Sequence, residues 1–129
     1  KCKVKGDAKR QFTLQVWPKG LMIHIKRFNN AGRKDSATVS YPKVIDMADL
    51  EQAGVIMTEG VVLPPGGRYT LRGVVCHHGS SQFGHYTSYV LPNGSPTWYE
   101  CDDSAVRAVG AHYATSANSA AYVLFYASV

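Results

Sequence analysis

A β-hairpin signal in residues 86–101 constrains the fold of this 129-residue chain more than any other stretch. Residues 86–91 and 97–101 are rich in β-branched and aromatic side chains, and Asn93-Gly94 between them is the pair typical of a type I′ turn. A two-residue turn there pairs residue 92 with residue 95 and, further along the ladder, His85 with Asp102. That position is a non-hydrogen-bonded pair, at which side chains approach most closely.

The predicted pair of His85 and Asp102 has the residue types of an acid–base site. A carboxylate beside an imidazole accepts its N–H and fixes which ring nitrogen carries the proton. Alone, a histidine in a strand is usually structural, and an Asp-Asp pair after a strand usually forms a turn or a cap; their juxtaposition favours catalysis. Pro92 leaves a shifted register open, because proline donates no ladder hydrogen bond.

The composition indicates one globular domain, or part of one, with 45% hydrophobic and 11% aromatic residues. No apolar run approaches the length of a membrane span, and the N-terminus lacks a signal-peptide pattern, so no membrane association is expected. Three cysteines are an odd number, which favours a reducing compartment, the cytoplasm or the nucleus.

The net charge of +5 is concentrated near the N-terminus, where residues 1–34 hold ten of the fourteen basic residues and one acid, Asp7. Such a segment suits nucleic acid or an acidic partner. Nucleic-acid binding is not favoured, because the chain has no zinc-finger spacing and no ribonucleoprotein signature. A solvated basic face is the favoured interpretation.

Apolar patterns predict an antiparallel sheet with little helix, which places the chain in the α+β class. Leu21, Ile23 and Ile25 are expected to face the core, and residues 121–127 are apolar on both faces, as in a central strand. A brief helical turn is predicted at residues 49–53. The other predicted strands are residues 12–17, 21–28, 38–41, 69–77 and 105–109.

Five stretches in order along the chain resemble the motifs of one enzyme family. They are LMIHIKRF at residues 21–28, YTLRGVVCHHG at 69–79, GHYTSY at 84–89, WYECDDSAV at 98–106 and AYVLFY at 121–126. Together they resemble the ubiquitin-specific proteases, which are papain-like cysteine peptidases. The resemblance implies the papain-like cysteine peptidase fold of this family. Residues 1–129 would be the C-terminal part of its catalytic domain. This part is the β-rich palm and the base of the fingers.

The resemblance also implies roles for individual residues. His85 is the implied general base, Asp102 orients it, and Asp103 is a neighbour that shares this task. Other residues are implied to lie beside the channel for the Gly-Gly-ended tail of ubiquitin: His77, Gly79, Gly84 and Tyr86. Residues 79–83 and 29–40 correspond to mobile loops beside the cleft. No cofactor is implied.

Two features depart from the family pattern. The family's cysteine box, a glycine-led stretch opening a helix, has no counterpart in these residues. Cys76 is expected in the core, the thiol of Cys101 on the face opposite to Asp102, and Cys2 lacks a following glycine turn. Cys2 also stands alone where the family's zinc ribbon has paired cysteines, so no metal site is predicted within this chain.

The expected function is therefore that of a deubiquitinase whose nucleophilic cysteine lies outside these residues. Its reaction is thiol-dependent hydrolysis of the peptide or isopeptide bond after ubiquitin's last glycine. The expected partners are ubiquitin or polyubiquitin conjugates and the missing N-terminal part of the domain, without which the chain is expected to be inactive. The alternative is a catalytically inactive module that binds ubiquitin and scaffolds other proteins.

Overall fold

The computed structural model describes residues 6, 10–62 and 65–128, and within them nine strands and two short α-helices form. In chain order they are β1 (Thr13–Leu14), β2 (Gly20–His24), β3 (Val44–Asp46), α1 (Met47–Gln52), β4 (Ile56–Met57), β5 (Arg68–Gly79), β6 (Gly84–Val90), β7 (Trp98–Asp102), β8 (Ala105–Val109), α2 (Ala111–Thr115) and β9 (Ala121–Ser128). A 3₁₀ turn, Pro65–Gly67, precedes β5. None of the helices in this part of the chain is long and apolar enough to cross a membrane.

Seven of these strands form one antiparallel sheet in the order β2-β9-β5-β6-β7-β8, with β3 pairing the start of β5. The predicted α+β fold dominated by antiparallel sheet is confirmed. The central position predicted for the last strand is also confirmed, because β9 lies between β2 and β5. Strands β1 and β4 pair in parallel outside this sheet.

The core lies on one face of the sheet, where β5 contributes its largest fully buried side chains, Tyr69, Leu71, Val74 and Cys76. A bulge between Leu71 and Gly73 inserts a residue opposite β9, which explains why the buried positions change from odd to even numbers there. Burial of this apolar area, worth roughly 25 cal/mol per Å², is the main stabilising term.

Buried tyrosines attach the loops to this core through their hydroxyl groups. The hydroxyl of Tyr126 donates to the carbonyl of Pro42 at 2.8 Å, and that of Tyr41 donates to the carbonyl of Ala114 at 3.0 Å. Burial raises the pKa of each of these two phenols to about 12, so both remain protonated donors. The segment after β2 and helix α2 are thereby held against the sheet.

The N-terminal strand is shorter than the predicted residues 12–17. Only Thr13–Leu14 is extended in a ladder, and Phe12 and Val16 are 74% and 76% exposed. Trp17 is buried instead and packs on Tyr69 with ring centroids 5.6 Å apart. Since β1 pairs only with the two-residue β4, burial of the large indole outweighs the strand alternation.

Three other segments differ in detail from the sequence prediction. The strand predicted at residues 21–28 ends at His24, because its partner β9 begins at Ala121, only two residues before the partner of His24. Residues 38–41 form no strand and contribute a single bridge, between Val39 and Asn118. The helical turn begins at Met47, two residues before its predicted start, because Asp46 and Asp49 form a reciprocal capping box.

Candidate active site

The connection between β6 and β7 is longer than the sequence predicted. β6 ends at Val90 and β7 begins at Trp98, so residues 91–97 connect them, and the prediction of a two-residue type I′ turn is wrong. Gly94 has a φ of 75°, whereas no other residue of this loop has a positive φ, and a type I′ turn needs two such residues. Pro92 and Pro96 lack an N–H and cannot donate ladder hydrogen bonds, so neither residue is part of the ladder between β6 and β7.

This longer loop shifts the register by two residues and keeps each side chain on its predicted face. Ser88 pairs with Cys101, so His85 is a diagonal neighbour of Asp102, and the predicted direct pairing is wrong. A shift by one residue would have moved every side chain to the other face, whereas a shift by two preserves the faces. Diagonal neighbours remain within reach of long side chains.

His85 and Asp102 are in direct contact, as the sequence predicted. The His85 Nε2 atom lies 2.5 Å from the Asp102 Oδ1 atom, and the side chains are 49% and 54% exposed. The hydrogen bond to Asp102 raises the pKa of His85, and the negative charges of Asp102 and Asp103 raise it further. With Nε2–H donated to the carboxylate, the Nδ1 atom is left to accept a proton.

Asp103 lies in the tight connection between β7 and β8. Asp102 pairs with Ala105, so Asp103 and Ser104 form the turn, and Asp103 adopts a left-handed conformation with φ 49°. Aspartate tolerates this conformation better than most residues. Among the described residues, only His85, Asp102 and Asp103 bring three possible metal-ligating atoms within 4.8 Å of one another, and the hydrogen bond between the first two already uses part of this set.

Gly79 and Gly84 close the hairpin between β5 and β6 and face each other at the end of its ladder. A Cβ atom on Gly84 would lie 2.1 Å from the Nε2 atom of His77, and one on Gly79 would lie 2.4 Å from the carbonyl oxygen of Phe83. The turn is closed by a bond of 2.7 Å from the Ser80 N–H to that same carbonyl. Only glycine therefore fits at both positions.

Four aromatic rings form a cluster near this strand end: Phe28, His77, Tyr86 and Tyr122. The His77 ring lies 4.7 Å from that of Tyr86 and 5.6 Å from that of Phe28, between ring centroids. His77 pairs with Tyr86 on the ladder, whereas the next pair joins His78 and His85. Since successive residues of a strand point to opposite faces, the aromatic cluster lies on the sheet face opposite to His85.

His77 is a buried, neutral imidazole. Its side chain is 4% exposed, and burial, followed by the charges of Lys34 and His78, lowers its pKa. Its Nδ1 atom is buried and has no hydrogen-bond partner within the described residues. The Lys34 ammonium donates to the His77 carbonyl oxygen at 2.5 Å, where β5 extends past Ala121, the first residue of β9.

Arg27 is a site-forming residue whose role the sequence did not reveal. It is 2% exposed and donates four hydrogen bonds, all to backbone carbonyl oxygens. Nε bonds Ala121 at 2.5 Å and Nη2 bonds Asn118 at 3.1 Å, while Nη1 bonds Asp35 at 3.0 Å and Ala37 at 2.9 Å. The segment after Phe28 is thus tied to the start of β9. The only sequence signal is an arginine at the end of an apolar strand.

The two cysteines among the described residues do not provide a thiolate beside His85. Cys76 is 1% exposed, and burial raises its pKa to about 11, which disfavours the nucleophilic form. Its predicted position in the core is confirmed. Cys101 precedes Asp102 on β7, and strand alternation directs its side chain to the other face. Cys2 lies outside the described residues.

Comparison with known proteins agrees with this fold. The family model described as ubiquitin carboxyl-terminal hydrolase matches residues 1–126. Ubiquitin carboxyl-terminal hydrolase 5 of Saccharomyces cerevisiae is 38% identical over 98% of this chain and 16% of its own length. Ubiquitin carboxyl-terminal hydrolase 51 of Mus musculus is 33% identical over 97% of this chain and 20% of its own length.

A solved structure of the SAGA Ubp8/Sgf11/Sus1/Sgf73 DUB module bound to ubiquitin aldehyde has a chain with the same fold. The match has a TM-score of 0.65 and 26% sequence identity, and it covers 85% of this chain and 24% of that one. The present chain belongs to the ubiquitin carboxyl-terminal hydrolase family. It spans about a fifth or less of the two relatives named above.

Proposed function

We propose that this chain forms the base-bearing part of a thiol-dependent deubiquitinase, with His85 as the general base and Asp102 as the residue that orients it. The observation that carries the proposal is the hydrogen bond between His85 Nε2 and Asp102 Oδ1 in a member of a hydrolase family. Asp103 adds a second negative charge that favours the imidazolium formed during proton transfer. The proposed substrates are ubiquitin or polyubiquitin conjugates.

The proposed nucleophile is a cysteine outside this 129-residue sequence, in an N-terminal part of the same catalytic domain. The His85 Nδ1 atom takes the proton of that thiol, and the thiolate attacks the carbonyl carbon after the last glycine of ubiquitin. The C–N bond then breaks, the imidazolium protonates the leaving amine, and a thioester remains. Water, deprotonated by His85, hydrolyses the thioester and frees the thiol and the ubiquitin carboxylate.

Gly79 and Gly84 are the proposed boundary of the channel for the ubiquitin tail, because they bring bare backbone to the strand end next to His85. Tyr86 and the buried His77 are proposed to support this boundary with their rings, from the opposite face of the sheet. A tail ending in glycines offers mainly backbone groups, so a narrow channel selects it by excluding larger side chains.

The test uses the full-length protein that contains this sequence and a fluorogenic ubiquitin conjugate. His85→Gln is expected to lower kcat by roughly 10²–10⁴-fold, the usual contribution of a general base. His112→Gln is the matched control, because His112 is an exposed histidine on α2, whereas the histidine bonded to Asp102 is His85. Equal activities of these two variants would contradict the role of His85.

A second measurement locates the nucleophile. Ubiquitin carrying an electrophile at its C-terminus is expected to label one cysteine outside these residues, which mass spectrometry identifies. Labelling of Cys2, Cys76 or Cys101 would refute the proposed position of the nucleophile. Binding of ubiquitin without labelling or turnover in the unmodified protein would instead support the alternative, an inactive ubiquitin-binding module.

A further inference from the structure

Next to the proposed catalytic pair, Glu100 and Arg107 form a second ion pair. Glu100 on β7 lies directly across the ladder from Arg107 on β8, and the Arg107 Nε and Nη2 atoms both lie 2.5 Å from Glu100 Oε2. The hydroxyl of Tyr89 donates to Glu100 Oε1 at 3.3 Å. The Glu100 carboxylate is thus held at both oxygens, and its side chain is only 16% exposed.

Asp102 is a diagonal neighbour of Arg107 on the ladder between β7 and β8. Asp102 and Glu100 point to the same face of β7, and the ladder partner of Asp102 is Ala105, which carries no polar side chain. A cavity of about 180 Å³ is lined by Glu100, Asp102, Ala105 and Arg107. The Arg107 side chain is 76% exposed, and among the described residues Glu100 is its only ion-pair partner.

We propose that Glu100 is a positioning residue that retains Arg107 and thereby leaves the Asp102 carboxylate to His85. The inference rests on the function proposed above. Without the Glu100 charge, Arg107 turns to Asp102, because a guanidinium binds a carboxylate through two parallel hydrogen bonds. The His85 imidazole then shares the Asp102 carboxylate with the Arg107 guanidinium. As a result, Asp102 orients the imidazole less firmly and stabilises its protonated form less.

The charged and titratable groups that face the catalytic pair come from three strands and one turn. His78 on β5 is the ladder partner of His85, Asp103 lies in the turn after Asp102, and Glu100 and Arg107 lie beyond it. Arg107 is the only permanent cation among these groups, because guanidinium stays protonated. Its position therefore decides whether a fixed positive charge lies against Asp102.

The test compares Glu100→Gln, Arg107→Gln and the double variant in the full-length protein. Glutamine keeps the shape of Glu100 and an oxygen that accepts from Tyr89, and it replaces the charged acceptor of Arg107 with a neutral NH₂ group. Glu100→Gln is expected to lower the pKa of His85 in an NMR titration and to lower kcat by about five-fold, the upper effect of an exposed competing ion pair. The limb of the pH–rate profile that His85 governs moves to lower pH.

The two other variants separate positioning from a general effect on folding. Arg107→Gln and the double variant are both expected within about two-fold of the unmodified kcat, because neither has a cation to compete for Asp102. An unchanged His85 titration in Glu100→Gln, or a double variant as impaired as the single one, would overturn the inference. If the unmodified protein shows no turnover, the proposed function fails, while the His85 titration still decides the role of Glu100.

Discussion

Replacing Arg27 with lysine keeps the positive charge and yet is expected to lower the free energy of unfolding by about 3 kcal/mol. The guanidinium of Arg27 serves four carbonyl oxygens with three nitrogen atoms, whereas an ammonium places all its donors on one atom. Lysine therefore retains a bond to one segment at most.

The size of this loss of stability depends on how deeply the carbonyl groups that lose their hydrogen bonds are buried. Asp35 and Ala37 are exposed, so water replaces their bonds at little cost. Ala121 is completely buried and Asn118 partly so, and a buried acceptor without a partner costs about 1–3 kcal/mol. One to two such losses give the expected 3 kcal/mol, a large part of a typical domain stability of about 5–15 kcal/mol.

The assay is urea unfolding of the full-length protein together with amide hydrogen exchange. The amides of Val39 and Asn118, which bond each other's carbonyl groups, are expected to lose protection first, because Arg27 holds both segments. Arg33→Lys is the matched control, since Arg33 is exposed on the same loop. If both variants stay within about 0.5 kcal/mol of the unmodified protein, the buried guanidinium is not the link between loop and sheet.

Three further substitutions test the site and the core. Gly84→Ala is expected to cost about 1–3 kcal/mol, because its Cβ would overlap the buried His77 ring, and thermal unfolding measures it; an unchanged Tm would contradict that contact. Asp102→Asn is expected to lower the pKa of His85, which Asp102 raises, so at neutral pH less imidazolium forms; NMR titration checks this, and an unmoved midpoint would refute the pairing. Tyr126→Phe is expected to lower the free energy of unfolding in urea by about 1 kcal/mol, because it removes the hydroxyl that donates to a loop carbonyl. An unchanged free energy of unfolding would show that this hydrogen bond does not stabilise the fold.

The contact between His85 and Asp102 was predictable because it depends on side-chain parity rather than on the turn. The prediction of a type I′ turn at Asn93-Gly94 was wrong, and so the register derived from that turn was shifted by two residues. An even shift keeps both side chains on one face, and the reach of an imidazole compensates for the diagonal offset. Pro92 was the visible sign that the ladder would end early.

The role of Arg27 could not be predicted, because its partners are all backbone carbonyls and two of the four are far away along the chain. Residues 118 and 121 lie more than ninety positions beyond Arg27. A backbone carbonyl carries no identity in the sequence, so no residue pattern indicates that a cation will meet it. The same limit applies to the Lys34 bond to the His77 carbonyl.

The sequence also did not predict which residues near the N-terminus are buried. Phe12 and Val16 alternate as a strand does, and Trp17 would lie on the opposite face of that strand. The indole is nevertheless buried, because the ladder of β1 ends at Leu14 and the following residues are free to turn. Alternation predicts faces only where a partner strand continues.

The place of β9 between β2 and β5 also governs how this sheet assembles during synthesis. Of these nine strands β9 is translated last, so the two strands that flank it emerge from the ribosome with the ladder between them still vacant. Each must wait unpaired along that edge until about a hundred residues after β2 have been made, which is slow, non-local folding. A ribosome that stalls before Ala121 would therefore leave two open edges ready to capture a neighbouring nascent chain.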